Sequence, residues 1–81
     1  MKGVANHFRV EILVVLKNHP EYSLSEIAED LKCNFRTISE HVRKMAHAGL
    51  VMKRNEGLTV HHRLTALGEH VLRFLDTIAN K

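Results

Sequence analysis

What this chain lacks bounds it first. It has one cysteine, Cys33, in 81 residues, so no disulfide can form within it. A lone unpaired cysteine suits a reducing cytoplasm, which is the expected location. Proline occurs once, at Pro20. No apolar run approaches the roughly 18–20 residues of a membrane span. The stretch Val10 to Leu16 is short, is interrupted by Glu11 and precedes no small-residue cleavage site, so no secretory signal is expected. There is no glycine-rich phosphate loop, no inward pair of carboxylates and no Ser/His/Asp set, so the chain is expected not to be an enzyme and to need no cofactor. Repeats, low-complexity tracts and interdomain linkers are absent too. Residues 1–81 are expected to form one domain, whose small size leaves its stability marginal.

The seven histidines do not make up for these absences. His7, His19, His41, His47, His61, His62 and His70 are dispersed. His61 and His62 are adjacent in a strand-like run and so face opposite sides. None forms a ligand set with Cys33, and no metal site is expected.

Charge is unevenly placed. The net charge is +3, yet Lys32 to Arg63 contains seven basic residues (Lys32, Arg36, Arg43, Lys44, Lys53, Arg54 and Arg63) and two acidic ones, Glu40 and Glu56. That stretch carries +5 and the remainder −2. Concentrated positive charge points to a polyanionic partner, although a solvated basic surface has the same composition.

The local signals give an order of parts. Val4 to Lys17 reads as a first helix, ended by Asn18-His19-Pro20, because the residue before a proline leaves the helical region. Ser23-Leu24-Ser25-Glu26 is a capping box opening a second helix over about Leu24 to Leu31, with Leu24, Ile27, Ala28 and Leu31 inward. Lys32-Cys33 is a tight turn, and Asn34 caps a third helix. In that helix Ile38, Val42 and Met45 form the buried stripe, with Phe35 flanking it, and Gly49 supplies the left-handed stop. Leu50 to Arg54 is a first strand, Asn55-Glu56-Gly57 a turn, and Thr59 to Leu64 a second strand. Thr65 caps a last helix to about Ala79, with Leu67, Val71, Phe74 and Ile78 as its expected buried stripe.

Helix, turn, helix and basic hairpin, in that order, are the parts of a winged helix. The fold class is therefore mainly α (α+β): about four helices and a two-stranded β-hairpin wing. In such a pose the helix at 34–48 enters the major groove of double-stranded DNA. Arg36, Thr37, Ser39, Glu40 and Arg43 lie away from its buried stripe, and Asn34 and Lys44 bracket the same surface. Arginine can bond guanine O6 and N7, Ser or Thr can donate or accept, and glutamate can accept from cytosine. Glu40 has a second role open to it, orienting Arg36 or Arg43. In the wing at 51–64, Lys53, Arg54 and Arg63 are expected to hold phosphates or reach the minor groove.

The two terminal helices carry more apolar surface than one core absorbs. Val4, Phe8, Ile12 and Val15 share one side of the first, while Val10, Leu13 and Val14 lie elsewhere around it; the last adds Leu72 and Leu75 beside its main stripe. The expectation is a homodimer burying Phe8, Ile12, Leu72 or Leu75.

Glu26-Ile27-Ala28-Glu29-Asp30-Leu31, Ile38-Ser39-Glu40-His41-Val42-Arg43-Lys44-Met45, Ala48-Gly49-Leu50-Val51 and His62-Arg63-Leu64-Thr65 together resemble the ArsR-type winged-helix transcriptional regulators. The closing Leu64-Thr65-Ala66-Leu67-Gly68 is also similar to MarR- and PadR-type regulators. The resemblance covers roughly Arg9 to Leu75. It implies a DNA-binding transcriptional regulator whose effector the sequence does not name. Metal-sensing members of the ArsR family carry a Cys-x-Cys pair where this chain has Ser23 and Ser25, and serine is a poor ligand for thiophilic metals. The competing reading is a winged helix used for protein–protein contact, because fold alone does not settle function.

Overall fold

The computed structural model describes the backbone of residues 2–79 and the side chains of residues 7–78. The order of elements is α1 (Lys2–Asn18), α2 (Leu24–Leu31), α3 (Phe35–His47), β1 (Val51–Glu56), β2 (Thr59–Leu64) and α4 (Ala66–Ala79). The strands pair antiparallel, with Val51 opposite Leu64 and Glu56 opposite Thr59. This is the winged-helix arrangement that the order of sequence signals implies.

The local signals act as their chemistry requires. The Ser23 hydroxyl accepts from the Glu26 N–H at 3.3 Å, and Glu26 Oε1 accepts from the Ser23 N–H at 2.8 Å, closing the capping box. Asn34 Oδ1 accepts from the Arg36 N–H at 2.7 Å and starts α3. Between these helices Lys32 adopts φ +54, so a non-glycine residue makes the left-handed stop of α2. Gly49, at φ +84, ends the α3 segment, and the Leu50 N–H donates back to the Met45 carbonyl at 2.9 Å.

The wing differs from the sequence expectation in its turn. β1 runs on through Asn55 and Glu56, and a two-residue loop, Gly57-Leu58, makes the reversal. Gly57 has φ +61, the left-handed geometry a tight hairpin asks of its first loop residue. A two-residue loop with a positive φ at its first residue also matches the right-handed twist of the strands it joins.

The core gathers one face of each element. Ile12, Leu13, Val15 and Leu16 of α1 meet Ile27 and Ala28 of α2, Ile38, Val42 and Met45 of α3, and Val51 and Leu64 at the base of the wing. Each large aliphatic side chain so buried contributes about 1.5–3 kcal/mol. Ile12 is completely buried within this core, which removes it from the surface where the sequence reading put it. Val4, assigned to the same face, lies outside the described side chains.

The last helix is rotated from its expected setting. Leu67, Phe74 and Ile78 are half or more exposed, while Val71, Leu72 and Leu75 pack on the core. The cause is Gly68. A Cβ there would lie 2.1 Å from the Leu50 carbonyl oxygen, so only glycine lets the first turn of α4 seat against that backbone. Residues 68, 72 and 75 share a helix face, and seating Gly68 inward takes Leu72 and Leu75 with it. Thr65 clamps the same corner: its N–H donates to the Leu50 carbonyl at 3.1 Å, and its hydroxyl accepts from the Gly68 N–H at 3.0 Å.

A third backbone segment joins the wing. Tyr22 bridges His62 antiparallel, its carbonyl accepting from the His62 N–H at 3.0 Å, while the Glu21 N–H donates to the His62 carbonyl at 2.9 Å. The His62 side chain is buried, and its Nδ1 donates to the same Tyr22 carbonyl at 3.0 Å. Burial, more than any neighbour, pushes the His62 pKa below the usual histidine value. His41 is pushed down too, first by burial and then by the cations of Arg9 and Lys44.

Two outcomes follow from this packing. Gly68→Ala should destabilise the fold by about 2 kcal/mol or more, because the clash is with backbone and the helix must move; the midpoint of a urea denaturation measures it. Acidification should also destabilise. A histidine whose folded pKa is depressed leaves stability intact above its unfolded value of about 6.5, and the stability is lost as pH falls through the folded value. Unfolding free energies at pH 7.5 and 5 should differ, and His62→Gln should flatten that difference.

Candidate nucleic-acid interface

The third helix is amphipathic by residue type, and its polar face is free. With Ile38, Val42 and Met45 turned into the core, Arg36, Thr37, Glu40, Arg43 and Lys44 stand exposed and Ser39 is half-buried. Asn34 sits at the tip of the helix with its side-chain oxygen committed to the cap. Glu40 bonds Arg43 at 2.9 Å, not Arg36. That bond holds its carboxyl below the usual glutamate range, so it stays charged. Of the two arginines it was expected to orient, it bonds Arg43 in the free protein. Among the described residues, Arg36 and Lys44 make no ion pair.

The hairpin divides its cations between two faces. Residues opposite one another in an antiparallel pair share a face. Lys53 opposes His62 and stands on the core-side face with Val51 and Leu64, and it makes no ion pair among the described residues. Arg54 opposes His61 and lies on the other face with Arg63. There both arginines meet Glu21: Arg54 donates through Nε at 3.1 Å and through Nη2 to Oε1, and Arg63 Nε lies 3.4 Å from Oε2. Glu56 adds Arg54 at 3.5 Å and His61 at 3.2 Å. The hydrogen bond from Arg54 holds the Glu21 carboxyl below its usual range, and Glu21 in turn raises Arg54. Three hairpin cations expected to act alike therefore stand in two different environments.

Sequence reasoning missed several residues here. Glu21 reaches the wing across 33 positions of chain, and no local pattern announces that contact. Phe35, expected to flank the core, is 52% exposed at the first position of α3. Leu58 is fully exposed at the wing tip. Phe35, Leu58 and Val60 border a concavity of ≈ 370 Å³ with Ser23, Ser25 and His62, between the start of α3 and the wing. The signal for Leu58 was present, since a residue beside Gly57 in a two-residue hairpin loop has no core to enter.

The expected dimer residues are scattered in depth. Phe8 is half-buried with its ring 5.7 Å from that of His41; Leu72 and Leu75 are partly buried on the core. Among the described residues no three His, Cys, Asp or Glu side chains converge as metal ligands. Among the same residues no helix is long and apolar enough to cross a membrane.

Solved structures with the same fold are plentiful. The PcaV transcriptional regulator from Streptomyces coelicolor superposes with a TM-score of 0.83 at 28% identity, over 89% of this chain and 54% of that one. A MarR-family transcription regulator, SP03579, does so with 0.81 at 22%, over 90% and 52%. FabT of Streptococcus pneumoniae, solved in complex with DNA, gives 0.76 at 18%, over 91% and 53%. This chain spans about half the length of these regulators. The likeness establishes the winged-helix fold in the form seen in MarR-family regulators. Comparison with curated protein sequences gave no match. By sequence, the model of one family, HVO_A0114, matches residues 4–63, and the chain belongs to that family.

Proposed function

We propose that this protein is a sequence-specific DNA-binding transcriptional regulator, its residues 1–81 acting as one winged-helix domain in the cytoplasm. The observation that carries the reading is the free polar face of α3. Arg36 and Thr37 are exposed at its start, and Arg36, Lys44 and Lys53 are left without ion pairs among the described residues. A cation with no protein partner is available to a phosphate or a base edge at no cost in broken bonds. FabT, of the same fold, has been solved with DNA, which supports the choice of partner. Arg36 and Thr37 read base edges in the major groove, Asn34 and Ser39 flank them, Glu40 aims Arg43, and Lys44 and Lys53 hold phosphates. The ArsR-like motif order and the MarR-like superposition support the same role, and neither assigns the effector.

A homodimer completes the reading. The stripe of Leu67, Phe74 and Ile78 along α4 faces solvent, and Val14 of α1 is exposed in a separate groove that it lines with Glu69, Leu72 and Arg73 of α4. Pairing these helices about a two-fold axis leaves both copies of α3 free. It also asks for two half-sites spaced by roughly one helical turn of DNA, about 34 Å. Phe74 and Ile78 replace Ile12 in the interface proposed from sequence, with Phe8, Leu72 and Leu75 at its margin.

Protein–protein contact remains the competing use, favoured by one observation: Phe35 and Leu58 expose apolar surface beside the concavity. Salt separates the two. Counterion release makes DNA affinity fall steeply with salt, whereas an apolar protein contact is nearly insensitive to it.

Purified protein should bind duplex DNA with a steep salt dependence, and Arg36→Ala should cost roughly 1–3 kcal/mol of discrimination at one base pair. Competition between a selected operator and random duplex measures this; absence of binding at low salt rejects the DNA reading. Phe74→Glu should shift the protein toward monomer, because burying such a ring contributes on the order of 1.5–3 kcal/mol per protomer. Sedimentation equilibrium of wild type and variant reads the change, and a wild type that is already monomeric at tens of micromolar (a rough working range) rejects the dimer.

A further inference from the structure

Glu21 occupies a place that neither the core nor the recognition helix requires. It lies in the turn between α1 and α2 with φ +78, a backbone setting that residues other than glycine take only when their surroundings impose it. Here β2 supplies those surroundings. The Glu21 N–H donates to the His62 carbonyl at 2.9 Å, and the Glu21 carbonyl lies 2.8 Å from His61 Nδ1. Its backbone is therefore held on both sides by β2, and its side chain is delivered to the outer face of the wing.

On that face both carboxylate oxygens are used. Oε1 takes Nε and Nη2 of Arg54, and Oε2 faces Arg63 Nε at 3.4 Å. With Glu56 beside Arg54 and His61, the outer face balances two arginines against two glutamates. Lys53 stands apart, on the opposite face.

We propose that Glu21 is a positioning residue that claims Arg54 and Arg63 to set the wing against the helix-turn-helix, leaving Lys53 as the hairpin cation that meets DNA phosphate. The inference rests on the DNA-binding reading above. An arginine that left Glu21 for a phosphate would leave the carboxylate unpaired close to that phosphate, and the repulsion of like charges would offset the new contact. Lys53 has no such debt. The positive charge of the hairpin is thus smaller, as DNA meets it, than its sequence states.

The slope of log affinity against log salt concentration counts phosphates neutralised, at about 0.9 per contact on duplex DNA. Wild type, Lys53→Ala, Arg54→Ala, Arg63→Ala and Glu21→Gln should be titrated with one duplex between 50 and 200 mM salt (roughly the range over which such slopes are read), after denaturation curves have shown each to be folded. Lys53→Ala should lower the slope by about one, which is a roughly fourfold smaller loss of affinity across that range. Arg54→Ala and Arg63→Ala should leave the slope as it is. Glu21→Gln should steepen it by about one or more and raise affinity for any duplex, because it releases arginines the carboxylate holds. A purely structural Glu21 would lower stability and leave the slope unchanged or shallower, and that result overturns the proposal. So does a slope in Arg54→Ala or Arg63→Ala that falls as far as in Lys53→Ala. If Glu21→Gln does not fold, the two arginine variants decide alone. Failure of wild type to bind at low salt overturns instead the DNA reading on which the inference rests.

Discussion

The burial of one face of α1 is the constraint on which the other elements depend. Ile12, Leu13, Val15 and Leu16 are buried, and α1 packs against α2, α3, α4 and β2. No disulfide supports the fold, and a chain this short buries a smaller fraction of its surface than a larger domain does. A single helix therefore serves as the common wall. α3 seats Ile38, Val42 and Met45 in that core, and its remaining face is turned to solvent as a consequence. The orientation of the proposed DNA-reading residues is set by what α3 hides as much as by what it shows.

The wing is fixed by polar ties where the helices are fixed by apolar ones. Among its described apolar residues Val51 and Leu64, at its base, enter the core, with His62 buried beside them. Beyond that point Tyr22 makes an isolated antiparallel bridge to β2, and the bonds of Tyr22 and Glu21 to His61, His62, Arg54 and Arg63 hold the hairpin. This arrangement makes the wing's geometry sensitive to conditions that leave the core alone. Salt weakens the exposed carboxylate–guanidinium pairs. Acid charges His62, which burial keeps neutral and which bonds the Tyr22 carbonyl. On the DNA-binding reading proposed above, phosphates would meet a wing whose cations are already sorted: Arg54 and Arg63 pair with Glu21, and Lys53 makes no ion pair among the described residues.

Glycine 68 shows how a small residue can decide a large surface. α4 carries apolar residues around most of its circumference, so either of two faces could have gone inward. Close approach to the Leu50 carbonyl is open only to a face without a Cβ. Once Gly68 takes that position, Leu72 and Leu75 are drawn to the core, and Leu67, Phe74 and Ile78 become the surface proposed for dimerisation.

The sequence by itself determined the parts whose physics is local. The Ser23–Glu26 box, the Asn34 cap, the Gly49 stop and the opposite facing of His61 and His62 each depend on residues within a few positions of one another. Their order was enough to identify a winged helix and to mark Arg36, Thr37, Glu40 and Arg43 as the exposed polar face of α3. The tertiary structure alone decided the rotation of α4, the depth of Ile12 and the pairing of Arg54 and Arg63 with Glu21. Each of these turns on contact between segments far apart in the chain: Gly68 on Leu50, Ile12 among three helices, Arg54 on Glu21. Periodicity says that a residue lies on an apolar or a charged face. Which faces meet is settled only when the backbones approach, because close packing and charge pairing act over a few ångströms in space and take no account of distance along the chain.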